Sequence, residues 1–456
     1  MINSRISLFL LGLCLLSQPV WAESVQLEAV IVAQPAIPDL PVVQQTLSRE
    51  EALSIGLKNN LGLSVSAEET RYQEALLKAA KAKRLPVVTA GSWSFLRTDN
   101  SAFIRTPGTV RNREFISTTV SNDTFSQEFS LYAKVPIFTG GLIQGGIDAK
   151  KAAFSASEEA YADLILNTKY QIEAAYLKAL LAQETYKLYL EQKDLQEALL
   201  QLIRSKYKEG KALKADVLRG QTEVAEAQDW LNQQQDQSNA ALFELKAQMG
   251  VDISSSIELS DSLEMLGWQG GNLDSLIQQA VSSHPAIKQA RQKVAEAKAK
   301  VKMQRSEYLP QVYGQVSGNV RLPENEPNLG TGVVGLITAS IPLLDRERDH
   351  ASSAAKIQLL KAQQEAKDIE LQLSKEIAQA WSRLETSRAN VLLAEEAVQQ
   401  TREDQRLTQK RFKVGRALNV EVQDTLVTLL QAELNQIKGI YAHELAKAQL
   451  KRLSGG

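Results

Sequence analysis

Residues 147–209 read IDAKKAAFSASEEAYADLILNTKYQIEAAYLKALLAQETYKLYLEQKDLQEALLQLIRSKYKE, with neither glycine nor proline. Residues 343–414 form a second run of this kind. The runs are 63 and 72 residues long. At about 1.5 Å per residue, each can form a helix of roughly 90–110 Å, far longer than an ordinary globular helix. The apolar spacing agrees. Tyr161, Ile165, Thr168, Ile172, Ala175, Ala179, Ala182, Tyr186 and Tyr189 recur at alternating spacings of four and three. Leu373, Ile377, Ala380, Leu384, Ser387, Val391, Ala394 and Val398 do the same. This is a heptad seam. Its many small residues imply close helix approach along a thin apolar stripe, so each helix needs partners along its whole length.

The runs sit in a chain of 456 residues with 52 Lys+Arg, 53 Asp+Glu and a formal net charge of −1. There is no basic surplus to neutralise a phosphate backbone, so nucleic acid is not an expected partner. Residues 1–22 read as a secretory signal: Arg5 is the positive start, Ile6–Leu16 the apolar run, and Val20-Trp21-Ala22 the small-residue cleavage site. The sole cysteine, Cys14, lies in this leader, so the mature chain has no disulfide, thiolate nucleophile or Cys-ligated metal. A lipoprotein role for Cys14 is disfavoured because Leu13 precedes it, where a small residue is expected. Beyond the leader no stretch of 18 apolar residues exists, which excludes a transmembrane helix. Residues 23–48 read as a Pro-rich extended segment, long enough to serve as a strap along the helices.

Working outward from the two runs, the chain repeats itself. The first structural repeat is 49–250 and the second 272–456, joined by a linker at 251–271. Each opens with an amphipathic helix, about Arg49–Arg84 and Asn272–Glu307. Each of these ends in a basic turn and Leu-Pro: Leu85-Pro86 and Leu309-Pro310. A Gly/Ser/Thr-rich segment follows, ending at Lys134-Val-Pro-Ile-Phe-Thr-Gly-Gly141 or Ser340-Ile-Pro-Leu-Leu-Asp345. Long helical hairpins then span 140–250 and 345–454. Their turns lie at Lys206-Tyr-Lys-Glu-Gly210 and Arg411-Phe-Lys-Val-Gly415, where glycine suits the helix C-terminus and basic side chains suit its dipole.

Within the Gly/Ser/Thr segments the period changes to two. Phe129, Leu131, Ala133, Val135 and Ile137 alternate with Ser130, Tyr132 and Lys134. The same alternation marks Val312–Val320 and Val333–Ile341. Four strands are expected, at 87–97, 124–137, 310–321 and 331–342, each near the ~9–11 residues that cross a bilayer as a tilted strand. Four strands cannot close a barrel, because about eight is the usual minimum and open edges are not tolerated in lipid. Several chains must pool them: two would give eight and three twelve. The competing reading is a soluble periplasmic coiled-coil scaffold or adaptor, with a hairpin capping the coil.

Other signals carry little. Gly330-Thr-Gly-Val-Val-Gly335 spells a dinucleotide loop but leads into an alternating strand, not a helix. His284, His350 and His443 lack ligand-like spacing. The basic residues Lys298, Lys300, Lys302 and Arg305 suit a helix C-terminus near headgroups. No hydrolase constellation is present, so no enzyme activity, cofactor or metal is expected.

The duplicated order of Leu-Pro entries, the Val135-Pro136-Ile-Phe-Thr-Gly-Gly141 exit, and the tips Tyr207-Lys-Glu-Gly210 and Phe412-Lys-Val-Gly415 resembles the TolC-like outer-membrane efflux proteins of Gram-negative bacteria, over about 49–456. That resemblance implies a mainly α fold with a small β part. It implies a homotrimer whose four strands per chain close as a twelve-stranded barrel in outer-membrane lipid. Long coiled-coil helices would form an α-barrel across the periplasm below. It further implies a passive export duct for efflux or type I secretion. The duct would dock a periplasmic adaptor (membrane fusion protein) and an inner-membrane pump of the resistance-nodulation-division (RND), ABC or major-facilitator (MFS) type. By position after the glycine, Glu421 and Asp424 correspond to the family's acidic pair at the periplasmic entrance, where three chains would place a carboxylate ring that favours cations. Asp216, equivalent in the first hairpin, would hold the gate through a neighbouring tip. Tyr207, Gly210, Leu213, Phe412, Gly415 and Leu418 would form the adaptor-docking tip. Read without the resemblance, Glu421 and Asp424 are ordinary acids of a helix first turn. Two departures stand out: Phe412 where the family often has tyrosine, and Leu343-Leu344-Asp345 after Pro342 where the first repeat has Gly-Gly.

Overall fold

The computed structural model describes residues 40–99, 122–268, 270–323 and 330–455. The signal peptide, Cys14 and most of the Pro-rich segment lie outside them. Residues 42–456 form one unit. Its elements run β1 (Gln44–Leu47), α1 (Arg49–Asn59), α2 (Leu61–Ala82), β2 (Val87–Asp99), β3 (Asn122–Phe138), α3 (Leu142–Lys208), α4 (Lys214–Met249), β4 (Ser256–Leu259), α5 (Leu273–Ser283), α6 (Pro285–Ser306), β5 (Gln311–Pro323), β6 (Gly330–Ser340), α7 (Arg346–Lys413) and α8 (Asn419–Ser454). The fold is mainly helical with a small β part.

The 67-residue α3 and 68-residue α7 occupy the two breaker-free runs, and their starts differ. α3 begins after Gly140 and Gly141, both at positive φ (+60° and +96°). A Cβ on Gly140 would lie 2.7 Å from both the Ser306 carbonyl oxygen and the Leu309 Cβ. Glycine is required there by conformation and by space. α7 instead begins at Asp345, whose carboxylate accepts the N–H groups of Glu347 and Arg348 at 3.1 and 3.4 Å. A side-chain cap thus replaces the glycine pair.

Each opening helix is two helices rather than one. Asn60 ends α1, and its side chain accepts the Leu63 N–H at 3.0 Å to start α2. His284 ends α5 and caps α6 through Nδ1, which accepts the Ala286 N–H at 3.2 Å. Pro285 stands at the first helical position. The strap and the linker are also not featureless. Gln44–Leu47 pairs in parallel with Ser256–Leu259.

The larger sheet has order β2-β3-β5-β6, antiparallel throughout. The helices beneath repeat that order. Near the sheet, α3 packs between α2 and α6, and α6 against α7; lower down, α3 packs between α4 and α8, and α8 against α7. Each layer is therefore a row of neighbouring elements, a piece of wall one element thick. Two buried clusters fasten α1 and α5 onto it. One joins Leu47, Ala52, Ile172, Tyr176, Leu245 and Met249. Its counterpart joins Leu276, Ala280, Ile287, Ile377, Leu450 and Leu453. Of the second heptad seam, Leu373, Ile377, Ala380, Leu384, Ser387, Val391 and Val398 are buried. Among the described residues no helix is long and apolar enough to cross a membrane.

Candidate functional site

The far end of the wall is built twice with the same chemistry. Gly210 and Gly415 take φ of +72° and +74°. The N–H groups that follow them, on Lys211 and Arg416, return to the carbonyls of Lys206 and Arg411 at 2.8 Å in each hairpin. This satisfies carbonyls that a helix end leaves open. Leu213 and Leu418 are then the N-caps of α4 and α8, and their backbone N–H groups donate to Asp216 and Glu421, each at 2.9 Å. Both acids are thus the third residue of a helix, turned back on its own N-terminus. Arg411 also lies 3.8 Å from the Glu421 carboxylate.

Asp424 differs. It is exposed and forms no ion pair among the described residues. It begins an exposed stripe on α8 with Thr428, Gln431, Asn435 and Lys438, spaced by three and four so that all share one face. The position equivalent to Asp424 in the first hairpin is Arg219, likewise three residues after the capping acid and exposed. The structure thus separates Glu421 and Asp216, tied to their own helices, from Asp424, which projects from the wall.

Of the expected docking residues, Tyr207, Leu213 and Leu418 are exposed, and nothing approaches Gly210 or Gly415. Val414, 70% exposed, joins them; it was missed because a lone valine before a glycine carries no pattern. Phe412 does not belong on that surface. It is 6% exposed and packs with Leu199, Ile203, Val422 and Leu426. The Lys206 ammonium donates to the Phe412 carbonyl and sits 3.9 Å from the ring centroid. The aromatic side chain is therefore a core residue joining the two hairpins. Beside it Gln196 of α3 and Gln423 of α8, both buried, exchange amide hydrogen bonds at 2.9 and 3.1 Å.

Midway along the wall lies a polar knot that sequence reading also missed, since its members are some 400 residues apart. Glu444 is 1% exposed. It accepts the Leu266 N–H at 2.8 Å and faces Lys447 at 3.3 Å and Arg49 at 3.5 Å. Arg49 also reaches Glu173 at 3.3 Å, and its backbone N–H donates to Asp261 at 3.0 Å. A buried carboxylate needs such partners. Nearby, Tyr176 donates to the Leu47 carbonyl at 3.0 Å, and burial raises its phenol pKa, helped by Asp261. Among the described residues no group of three or more His, Cys, Asp or Glu could hold a metal.

At the opposite end the strand register sorts the sheet into two faces. One carries Val88, Ala90, Leu131, Ala133, Val135, Val316, Val333 and Ile337, with Gly314 and Gly318 between. The other carries Thr89, Ser130, Tyr132, Lys134, Tyr313, Gln315, Ser317 and Thr338, interrupted by Val87, Pro136, Val334 and Leu336. An apolar face and a largely polar one on the same sheet are what a strand wall between lipid and a water-filled lumen requires.

Comparison with known proteins agrees with this geometry. A family model described as outer membrane efflux protein matches residues 52–251 and 276–456, one segment for each repeat. The cobalt-zinc-cadmium resistance protein CzcC of Cupriavidus metallidurans is 22% identical over 410 residues, 90% of each chain. A membrane protein from Pseudomonas aeruginosa superposes with a TM-score of 0.78 at 18% identity, over 89% of this chain and 93% of that one. The Campylobacter jejuni CmeC outer membrane channel gives 0.76 at 16% identity, over 89% and 85%. With both repeats matched and the sheet divided between an apolar and a polar face, the chain belongs to the outer membrane efflux protein family, the channels through which export systems cross the outer membrane.

Proposed function

We propose that the working channel is a head-to-tail ring of three chains, a passive duct that receives cargo from a periplasmic adaptor and an inner-membrane pump. One observation carries this reading: among the described residues, both layers of the wall end in unpartnered, complementary edges on opposite sides. On one side are β2, α2 and α4; on the other, β6 and α7. α7 bears two apolar stripes. Leu373, Ile377, Ala380, Leu384 and Val391 pack within the chain, while Ile357, Leu360, Leu371, Leu393 and Leu407 are exposed on the opposite side. The far edge matches it, with Leu61, Val65 and Tyr72 of α2 and Leu218 and Phe243 of α4 exposed. Edges that differ can join only heterologously, and such joining makes a ring when the rotation between neighbours closes and a filament when it does not; a barrel without open edges in lipid requires the ring. Two chains would give eight strands, whose interior side chains fill. Three give twelve, which leaves a lumen.

In this ring the polar sheet face and the Asp424 stripe line the duct. Three copies of Asp424 and three of Arg219 share the periplasmic mouth, so the gate is a ring of mixed charge rather than of Glu421 and Asp424 together. Asp216 and Glu421 set the hairpin turns. Tyr207, Leu213, Val414 and Leu418 offer the adaptor an apolar rim around Gly210 and Gly415. The energy comes from the pump, of RND, ABC or MFS type.

Tyr72 lies ten residues below the sheet end of α2 and Ile357 eleven below the sheet end of α7. They are therefore at similar height on opposite edges. With no cysteine in the sequence beyond Cys14, the double variant Tyr72→Cys/Ile357→Cys should oxidise to covalent dimers and trimers on a non-reducing gel, with each single variant remaining monomeric on that gel. A double variant that stays monomeric would contradict the ring.

A further inference from the structure

A cavity of about 780 Å³ lies where the sheet meets the helices. Its floor is apolar, formed by Leu76 of α2, Leu142 and Ile143 of α3, and Met303 of α6. Its rim is cationic. Lys83, Lys134, Lys150 and Lys300 line it together with a single acid, Glu296. Glu296 and Lys300 neutralise each other at 2.7 Å. Lys83, Lys134 and Lys150 have no carboxylate partner among the described residues. Lys134 instead stands 4.2 Å above the ring of Tyr313, which fixes its ammonium at the cavity mouth.

One observation places this cavity on the inner side of the wall: Lys134 and Tyr313, which line it, belong to the polar sheet face. The volume is that of a small-molecule site, and an apolar floor with a few convergent polar groups is how such sites are built. Three like charges beside an apolar surface repel one another and favour an anion between them. We propose that this cavity binds an amphipathic anion, an acyl chain with a carboxylate or similar head, as cargo on its way into the barrel. The assignment rests on the reading of that face as the lumen. Bare cations are disfavoured at this level of the duct.

The probe is decanoate, titrated by calorimetry into the full mature protein in lipid nanodiscs. Saturable binding near one per chain is expected. Binding should be about tenfold weaker, roughly 1.4 kcal/mol, in Lys134→Gln/Lys150→Gln. It should be unchanged in Lys298→Gln, an exposed lysine on the other side of α6. Decyltrimethylammonium should not compete. Equal affinity in the double variant, or binding of the cationic analogue, overturns the proposal. Planar-bilayer recording locates the site: decanoate should interrupt single-channel current in the parent and not in the double variant. Binding without such interruption puts the cavity outside the duct and also overturns it. A protein that forms no pore at all fails the ring reading, while the calorimetric comparison still decides the cavity.

Discussion

At the scale of single residues, two acids that look alike in sequence part company. Glu421 and Asp424 sit three apart and could share one face, but only the first is consumed by its own backbone, accepting the Leu418 N–H at 2.9 Å. Replacing Glu421 with alanine should therefore cost stability, about 1 kcal/mol per chain, read as a lower melting temperature with conductance nearly unchanged. Asp424→Ala should do the reverse: melting unchanged, and single-channel conductance raised or cation block weakened. If the two variants behave alike, the separation of roles is wrong. His284 gives a pH dependence. Its Nδ1 accepts the Ala286 N–H, and Nε2 lies 3.3 Å from the Arg452 carbonyl. That is the pattern of a neutral ring, and burial lowers its pKa from the ordinary 6.5, partly offset by Asp163 at 4.0 Å. The unfolded chain then binds the proton more readily, so this group's stabilisation is complete above pH 6.5 and lost as pH falls below it. His284→Asn keeps the cap but cannot titrate. Its melting temperature should fall less than the parent's between about pH 7.5 and about pH 5.5. The sequence shows where these side chains are but not which atoms they serve. A cap is local and can be read from its spacing; a carbonyl 168 residues away cannot.

At the scale of elements, legibility followed length. α3 and α7 were evident because a breaker-free run of over sixty residues with a heptad seam has no other reading. The alternating strands were evident for the same reason. What escaped was short or non-local. β1 and β4 have four residues each, too few for a period, and they pair across more than two hundred positions. The break at Asn60 is made by one side chain inside an otherwise helical pattern. The contact between the two hairpins was also invisible, because Gln196 and Gln423 look like two of many surface glutamines. Their burial makes a sharp expectation. Gln423→Leu leaves Gln196 with an unsatisfied buried amide and should destabilise by roughly 1–3 kcal/mol. Gln196→Leu/Gln423→Leu removes both partners and should recover most of that loss. Thermal midpoints of the two single variants and the double variant measure the coupling directly, and simple additivity would mean that the pair does not link the hairpins.

At the scale of the whole molecule, the sequence already pointed beyond one chain, because four strands are too few for a barrel. The structure adds which edges must meet. β6 is hydrogen-bonded to β5 on one side only, and along a strand successive N–H groups point alternately to the two sides. Of Val333 and Val334, one therefore donates toward β5 and the other toward the open edge. Proline removes an N–H and is tolerated only where no ladder bond is needed. If the edge were the true boundary of a soluble protein, one of Val333→Pro and Val334→Pro would be silent. If the edge is completed by β2 of the next chain, neither is silent. One loses the β5 ladder and the other loses only the joint between chains. Both variants should show reduced trimer by native mass spectrometry. Far-ultraviolet circular dichroism should change little, because α3, α4, α7 and α8 carry the helical signal and lie outside the sheet. If the trimer stays intact with both prolines, the outward-facing one included, β6 does not join a neighbour, and the twelve-stranded barrel would have to close some other way.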